Sequence, residues 1–471
     1  MGAILFGTFM VSLDQTIVTV AMPRIGAELN GLARIDLVMT AYLLALGVVQ
    51  PTTGWLADRF GRKHIFLASL VVFTIGSLLS GLAADLTQLV LARILQGLGG
   101  GAIFPVGMAM IYEQVPPRRR GVAMGFWSLA LATAPAMGPT LGGLIVTTLG
   151  WRWLFFVNVP IGIVGVLVGM RVLTFAGFTE KRRFDIVGFG LVTAGLATAL
   201  YAVEEANTVG WTSLQTLIFG VIGFVLLAAF VIHELREPEP LIDIRIFAIP
   251  AYSAAMLLVG GMICVTLARL VFLPLELITV RGLSEIEVGL ILTPAAVVGA
   301  IAAPLAGMLA DRIGPRLPVV GGLVVMCVGS ILLANLSLET PTAMIALFVG
   351  IQGFGNGLAL TPNQVAGMNA LPQRLLARGT AIRSTTRQIA ASFSIALLTA
   401  FVITQVGVLG PPSSPEVARM DQAALNSVFA VCAILGGLSL LLALRYVPGG
   451  DEMRRNTKER AVEHKALVGG G

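Results

Sequence analysis

The chain is 471 residues long, 56% hydrophobic and only 12% charged, with a mean hydropathy of +0.90. Soluble domains carry about 25% charged residues, and a fold this poor in charge has too little polar surface to cover itself in water. In so apolar a chain, a net charge of +6 and a pI near 9.6 point to lysines and arginines stationed in loops beside a membrane, not to nucleic acid.

Apolar runs of about twenty residues, the length a helix needs to cross a bilayer, recur along the chain and predict about fourteen transmembrane helices. The expected fold class is therefore an all-α polytopic membrane protein. The first helix is expected over 2–22. Ile4 to Val20 lacks the basic start and small-residue cleavage site of a secretory leader and is long enough to span. Helices over 36–56, 64–83, 86–111, 121–147 and 153–172 follow. Two more, 186–203 and 214–232, come after the basic linker Lys181-Arg182-Arg183. The last six are 251–279, 286–308, 317–336, 341–368, 379–407 and 422–445.

Cys264, Cys327 and Cys432 lie in apolar stretches without metal-ligand spacing and read as small core residues. His64 and His233 fall at helix ends and His464 in the tail, so a mid-membrane histidine relay is not expected. With the N-terminus inside, inner loops and the tail hold 24 of the 31 lysines and arginines. Arg24, Arg34, Arg152, Arg281 and Arg419 fall outside, and Arg93 and Arg269 within helices. That asymmetry predicts cytoplasmic termini; the expected location is the inner membrane of a bacterial cell.

The chain also repeats itself. Gly54-Trp55-Leu56-Ala57-Asp58-Arg59-Phe60-Gly61-Arg62-Lys63 returns as Gly307-Met308-Leu309-Ala310-Asp311-Arg312-Ile313-Gly314-Pro315-Arg316. Gln96-Gly97-Leu98-Gly99 returns as Gln352-Gly353-Phe354-Gly355, and Arg120-Gly121 as Arg378-Gly379. Three echoes in one order imply two homologous six-helix halves, with the transport site expected between them. The expected organisation is a six-helix bundle over 1–172, a linker with two inserted helices over 173–235, a second bundle over 236–447, and a cytoplasmic tail over 448–471.

Several motifs stand together. The loop pattern G-x-L-A-D-R-x-G-R-K is complete at Gly54 to Lys63. Leu13, Asp14, Thr16, Ala21 and Pro23 match L-D-x-T-x-x-x-x-A-x-P. Arg93, Gln96, Gly97 and Gly99 match R-x-x-Q-G-x-G, and Gly138, Pro139, Gly142 and Gly143 match the end of G-x-x-x-G-P-x-x-G-G. Trp151-Arg152-Trp153 and Asn158-Val159-Pro160 complete the set. Over essentially the whole chain this resembles the major facilitator superfamily, in its 14-helix drug:proton antiporter branch. The chain departs from that branch at Thr19, where Asn is usual, and at Ala134, where the fifth-helix motif begins with Gly.

The resemblance implies a conformational latch at Asp58 that breaks as the two halves rock. A carboxylate there also suits the N-terminus of a helix from the same half. Arg59, Arg62 and Lys63 either meet an anionic inner leaflet or simply hold the loop inside. Gly138, Pro139, Gly142 and Gly143 let the fifth helix bend and pack closely, and in the family they mark antiporters.

Buried charge carries the most information, since each ionised group inside a bilayer costs at least a few kcal/mol. At 1.5 Å per residue, Asp14 lies about 13 Å below the outer end of the first helix, and Arg93 roughly 10 Å into the fourth. The two stand at similar depths, either as a structural ion pair or as a proton switch. Val349 occupies the place of Arg93 in the second repeat, so the fold does not require the arginine. Glu276 is a further candidate for proton coupling or an outer-rim residue. Seven residues separate it from Arg269, which shares its face but lies beyond direct reach. Thr16, Gln96 and Arg269 are expected to line a substrate cavity.

The favoured function is a proton-coupled antiporter exporting lipophilic, cationic drugs by alternating access, working as a monomer among membrane lipids. A second reading keeps the fold and exports a lipid or an endogenous metabolite. A membrane enzyme or receptor is disfavoured: expected loops do not exceed about twenty residues. The sequence also holds no HExxH, phosphate-binding loop or G-x-S-x-G. Neither metal nor cofactor is expected. An ion gradient is left as the energy source.

Overall fold

The computed structural model describes residues 2–29, 35, 37–173, 183–209, 213–372, 375–406 and 415–449. Arg34, Lys181, Arg182 and the tail with His464 lie outside the described residues. Among the described residues the secondary structure is entirely helical.

In chain order the helices are α1 (Gly2–Ile17), α2 (Met22–Glu28), α3 (Leu37–Val49), α4 (Thr53–Phe60), α5 (Arg62–Leu82) and α6 (Leu86–Gln114). Then come α7 (Arg120–Thr148), α8 (Trp153–Phe156), α9 (Asn158–Val172), α10 (Ile186–Val209) and α11 (Leu214–Arg236). The remainder are α12 (Pro250–Leu267), α13 (Leu273–Thr279), α14 (Glu285–Ile313), α15 (Arg316–Ala334), α16 (Thr342–Asn369), α17 (Leu376–Val406) and α18 (Pro415–Tyr446). All fourteen expected stretches are occupied by helix. Eleven helices among the described residues are long and apolar enough to cross a membrane.

Local chemistry explains where helices stop and bend. Gly61 ends α4 with φ +83°, a conformation that side chains disfavour, and its echo Gly314 ends α14 with φ +92°. Pro274 lacks an N–H and would clash with the turn before it. A π-helical turn, Ala268–Phe272, precedes it and joins α12 to α13.

The chain forms two compact units. The first takes Met1–Gln114, Ala130–Ile246 and Pro372–Ser392; the second takes Val115–Leu129, Phe247–Leu371 and Phe393–Gly471. These units cut across the sequence repeat: α7 and α17 are each divided, and the inserted pair α10 and α11 belongs to the first. A core around Leu13, Ile17, Leu89, Trp151 and Phe155 organises the first unit. Another, around Leu258, Phe272, Leu323, Val349 and Phe429, organises the second.

Candidate functional site

Asp14 on α1 is fully buried inside the first unit, as are Arg93 and Gln96 on α6. Arg93 Nη1 donates to Asp14 Oδ2 at 2.6 Å, Gln96 Nε2 to Asp14 Oδ1 at 2.9 Å, and Asn158 Nδ2 to the same Oδ1 at 3.0 Å. Asn158 also donates to Ser77 Oγ at 3.1 Å, which donates to Phe155 O at 2.8 Å. The carboxylate is thus met by donors from α6 and α9, with a second rank of support from α5.

Arg93 is held on several sides. Its Nη1 also donates to Gln96 Oε1 at 2.8 Å, and its Nε to Val38 O at 3.4 Å. The guanidinium lies over the Tyr42 ring, 4.0 Å from the centroid, a favourable cation–π position. Burying a charge is tolerable only when it is paired and hydrogen-bonded, and this site meets that condition.

The glycine motif of α7 packs on the residues just after Asp14. A Cβ at Gly138 would overlap Thr16 Oγ1, and one at Gly142 would lie 2.7 Å from Ile17 O. The close approach of the two helices therefore requires glycine there, whereas nothing lies within 4 Å of a Cβ at Gly143. Pro139 occupies the same turn of α7. Thr16 Oγ1 donates to Leu13 O at 3.1 Å. Gln96, expected to line a substrate cavity, instead contacts the Asp14 carboxylate directly.

At the end of α4, Asp58 is gripped by two arginines. Arg378 Nε donates to Asp58 Oδ2 at 3.2 Å, and Arg62 Nη2 stands 3.8 Å from Oδ1 while pairing with Glu113. Sequence reasoning expected a helix N-terminus from residues 1–172 here. The structure brings the first turn of α17 instead, because a Cβ at Gly54 would sit 3.3 Å from Arg378 Cα and the two backbones meet. Lys63 Nζ donates to Met170 O, in the last turn of α9. Arg59 stays half-exposed. The second unit carries the echo: Asp311 accepts from Gly121 N at 2.8 Å and Val122 N at 2.9 Å, at the first turn of α7.

Glu276 on α13 is fully buried in the second unit, 3.5 Å from Arg281 Nε. Neither of its oxygens accepts a hydrogen bond among the described residues. Arg281 spends its other nitrogens on Thr340 O at 2.9 Å and Ser337 O at 2.8 Å. Arg269, on the π-helical turn, is buried, and its Nε has no partner among the described residues.

Two participants escaped the sequence reading. The motif Asn158-Val159-Pro160 specifies no contact for Asn158, and Ser77 is one hydroxyl in an apolar helix. A polar side chain within a motif at the start of a spanning helix is the signal that points to Asn158.

The family model of the Major Facilitator Superfamily matches residues 4–394 and, in a second alignment, 257–469. An uncharacterized MFS-type transporter of Bacillus subtilis, YhcA, is 36% identical over 395 residues, 83% of this chain and 74% of that protein. The multidrug resistance protein B homolog of Mycobacterium tuberculosis is 32% identical, over 86% of this chain and 76% of that protein. Among solved structures, the proton:xylose symporter XylE superposes with a TM-score of 0.65, covering 96% of this chain and 97% of its own, at 14% identity. That last likeness is one of fold.

Proposed function

This chain belongs to the Major Facilitator Superfamily and is an integral membrane transporter, and we propose that it is a proton-coupled antiporter exporting lipophilic, cationic drugs or other toxic compounds. The observation that carries this reading is the fully buried carboxyl of Asp14, sealed in the first unit among Arg93, Gln96 and Asn158. The glycine motif of α7 and the likeness to a protein named for multidrug resistance favour export.

With Asp14 ionised, three donors bind α1 to α6 and α9 at one point. A proton on Asp14 cancels the charge and turns one oxygen from acceptor to donor. Arg93 then keeps Gln96 Oε1, Val38 O and the Tyr42 ring, while its hold on α1 is lost. Proton uptake would thereby loosen α1 against α6, and proton release would restore the clasp. Alternating access converts that local change into exchange of a proton for a cationic substrate. The working location is the cytoplasmic membrane of a bacterial cell with both termini inside, and the protein acts as a monomer without cofactor.

Dye uptake into inverted membrane vesicles, driven by a pH gradient and run with chemically different dyes, tests the proposal. Asp14→Asn keeps the shape but fixes the neutral state. It should abolish gradient-driven uptake while the protein still inserts. Normal dye movement by that variant would remove Asp14 from the coupling step.

A further inference from the structure

The inserted helices α10 and α11 take no part in the Asp14 site, yet their ends close around α4, the helix that carries Asp58. On one side, Trp55 Nε1 donates to Arg183 O at 3.1 Å, and its ring meets Phe184 edge-on at 4.7 Å, just before α10 begins. On the other side, the segment after α11 folds back over the helix it leaves. Ile242 N donates to Glu234 Oε2 at 3.3 Å, and Arg245 Nη2 donates to Leu235 O at 3.2 Å and Glu237 O at 3.3 Å. His233 and Asp185, 3.0 Å apart, tie the two inserted helices together at the same end. Leu241, Ile242 and Ile246 are buried, so the segment is anchored on both flanks of Asp243.

That anchoring places Asp243 beside the latch arginine. Arg378 Nη1 stands 3.7 Å from Asp243 Oδ2 while its Nε binds Asp58 Oδ2 at 3.2 Å. Asp243 Oδ1 is buried and accepts no hydrogen bond among the described residues. A planar guanidinium offers donors on separate edges and can serve two carboxylates at once. The Arg378 side chain is only 8% exposed, and a cation that deeply placed is costly to leave without a partner.

We propose that Asp243 is the alternate seat of the Arg378 guanidinium: a positioning carboxylate, held out by the inserted helix pair, that keeps the arginine paired when it parts from Asp58. The pair of extra helices then has a mechanical role, lowering the barrier to opening the latch. The inference rests on the reading of the chain as an alternating-access transporter. Asp58 and Asp243 compete for one arginine, and the spare oxygen of Asp243 gives it room to take over the contact.

The test measures latch opening without substrate or gradient, so a failure of dye transport would bear on the antiporter reading and not on this one. Ala381, buried on α17 and facing Gly54 across the latch, is replaced by cysteine in a background lacking Cys264, Cys327 and Cys432. Its labelling rate by a membrane-impermeant maleimide is then followed in inverted vesicles. Asp58→Asn, which frees the latch, should speed labelling and calibrates the reporter. Asp243→Asn should slow labelling about threefold to tenfold, since the arginine loses its second seat, and Asp243→Glu should bring the rate back to within about twofold. Glu234→Ala keeps Asp243 but removes the acceptor of Ile242 N, loosening the segment that carries it, and should slow labelling about twofold. It keeps the idea open to defeat even where Asp243→Asn does not insert. A rate that is unchanged or faster in Asp243→Asn and Glu234→Ala would overturn the proposal, because a carboxylate that merely braces the closed latch loosens it when removed.

Discussion

Asp14 in the first unit accepts hydrogen bonds from Arg93, Gln96 and Asn158, whereas Glu276 in the second accepts none among the described residues, although both are fully buried. The difference lies in who depends on the charge. Three helices hold one another through Asp14. Around Glu276 stand Arg281, 3.5 Å away and already committed to Ser337 O and Thr340 O, and the Gln422 side chain. Burial alone makes a carboxyl unusual; a ring of donors from several elements is what couples it to the conformation of the chain.

The comparison can be broken by stability measurements in detergent and by pH–rate profiles of dye export. Arg93→Ala should have the largest effect, a loss of about 3–5 kcal/mol, because it strands a buried carboxylate. Adding Asp14→Asn should recover most of it. Asn158→Ala removes one neutral donor and should cost about 1–3 kcal/mol while displacing the pH–rate profile. Glu276→Gln should cost clearly less than Arg93→Ala, about 1–2 kcal/mol, because it keeps the side-chain shape and gives up the 3.5 Å ion pair with Arg281. A Glu276→Gln penalty equal to that of Arg93→Ala would erase the distinction between the two sites.

A third carboxylate sets the floor of the scale. Glu28 pairs with Arg152 and accepts from Trp151 Nε1 at 2.9 Å, but its side chain is 46% exposed. The Arg152 hydrogen bond holds its carboxyl below the ordinary glutamate value of 4.5. Its contribution is therefore present at neutral pH and fades as acidification passes through 4.5 and below. Solvent screening limits Glu28→Gln to a few tenths of a kcal/mol, and a thermal shift comparing neutral with acidic buffer checks the sign.

Helical stretches were readable because a bilayer imposes a length and a polarity on every span. The pairing of Asp14 with Arg93 was readable for a related reason, since depth along a helix follows from residue counting and two opposite charges at one depth seek each other. Asn158 was not found that way, because a neutral amide pays too little for burial to stand out in an apolar stretch. The partner of Asp58 was missed for a topological reason. Hydropathy and repeats assign α17 to the second half, and nothing in them says that its first turns pack within the first unit. Asp243 was invisible as well, being one more acid in a charged loop until the fold brought it to Arg378.

The π-helical turn Ala268–Phe272 has a consequence for how this protein can vary. Such a turn holds one residue more than an α-helical turn, and each residue of an α-helix advances the azimuth by about 100°. Deleting any one residue between Ala268 and Phe272 would let the helix close up into regular geometry, at little local cost apart from Pro274. Because the residue removed is the extra one that the wide turn holds, everything downstream to Thr279 would keep close to its present azimuth, and Glu276 would stay on the face it now occupies. A single lost codon there would be absorbed in place, whereas the same loss from a regular turn of α12 would rotate everything after it by about 100° and change which chemical groups face inward.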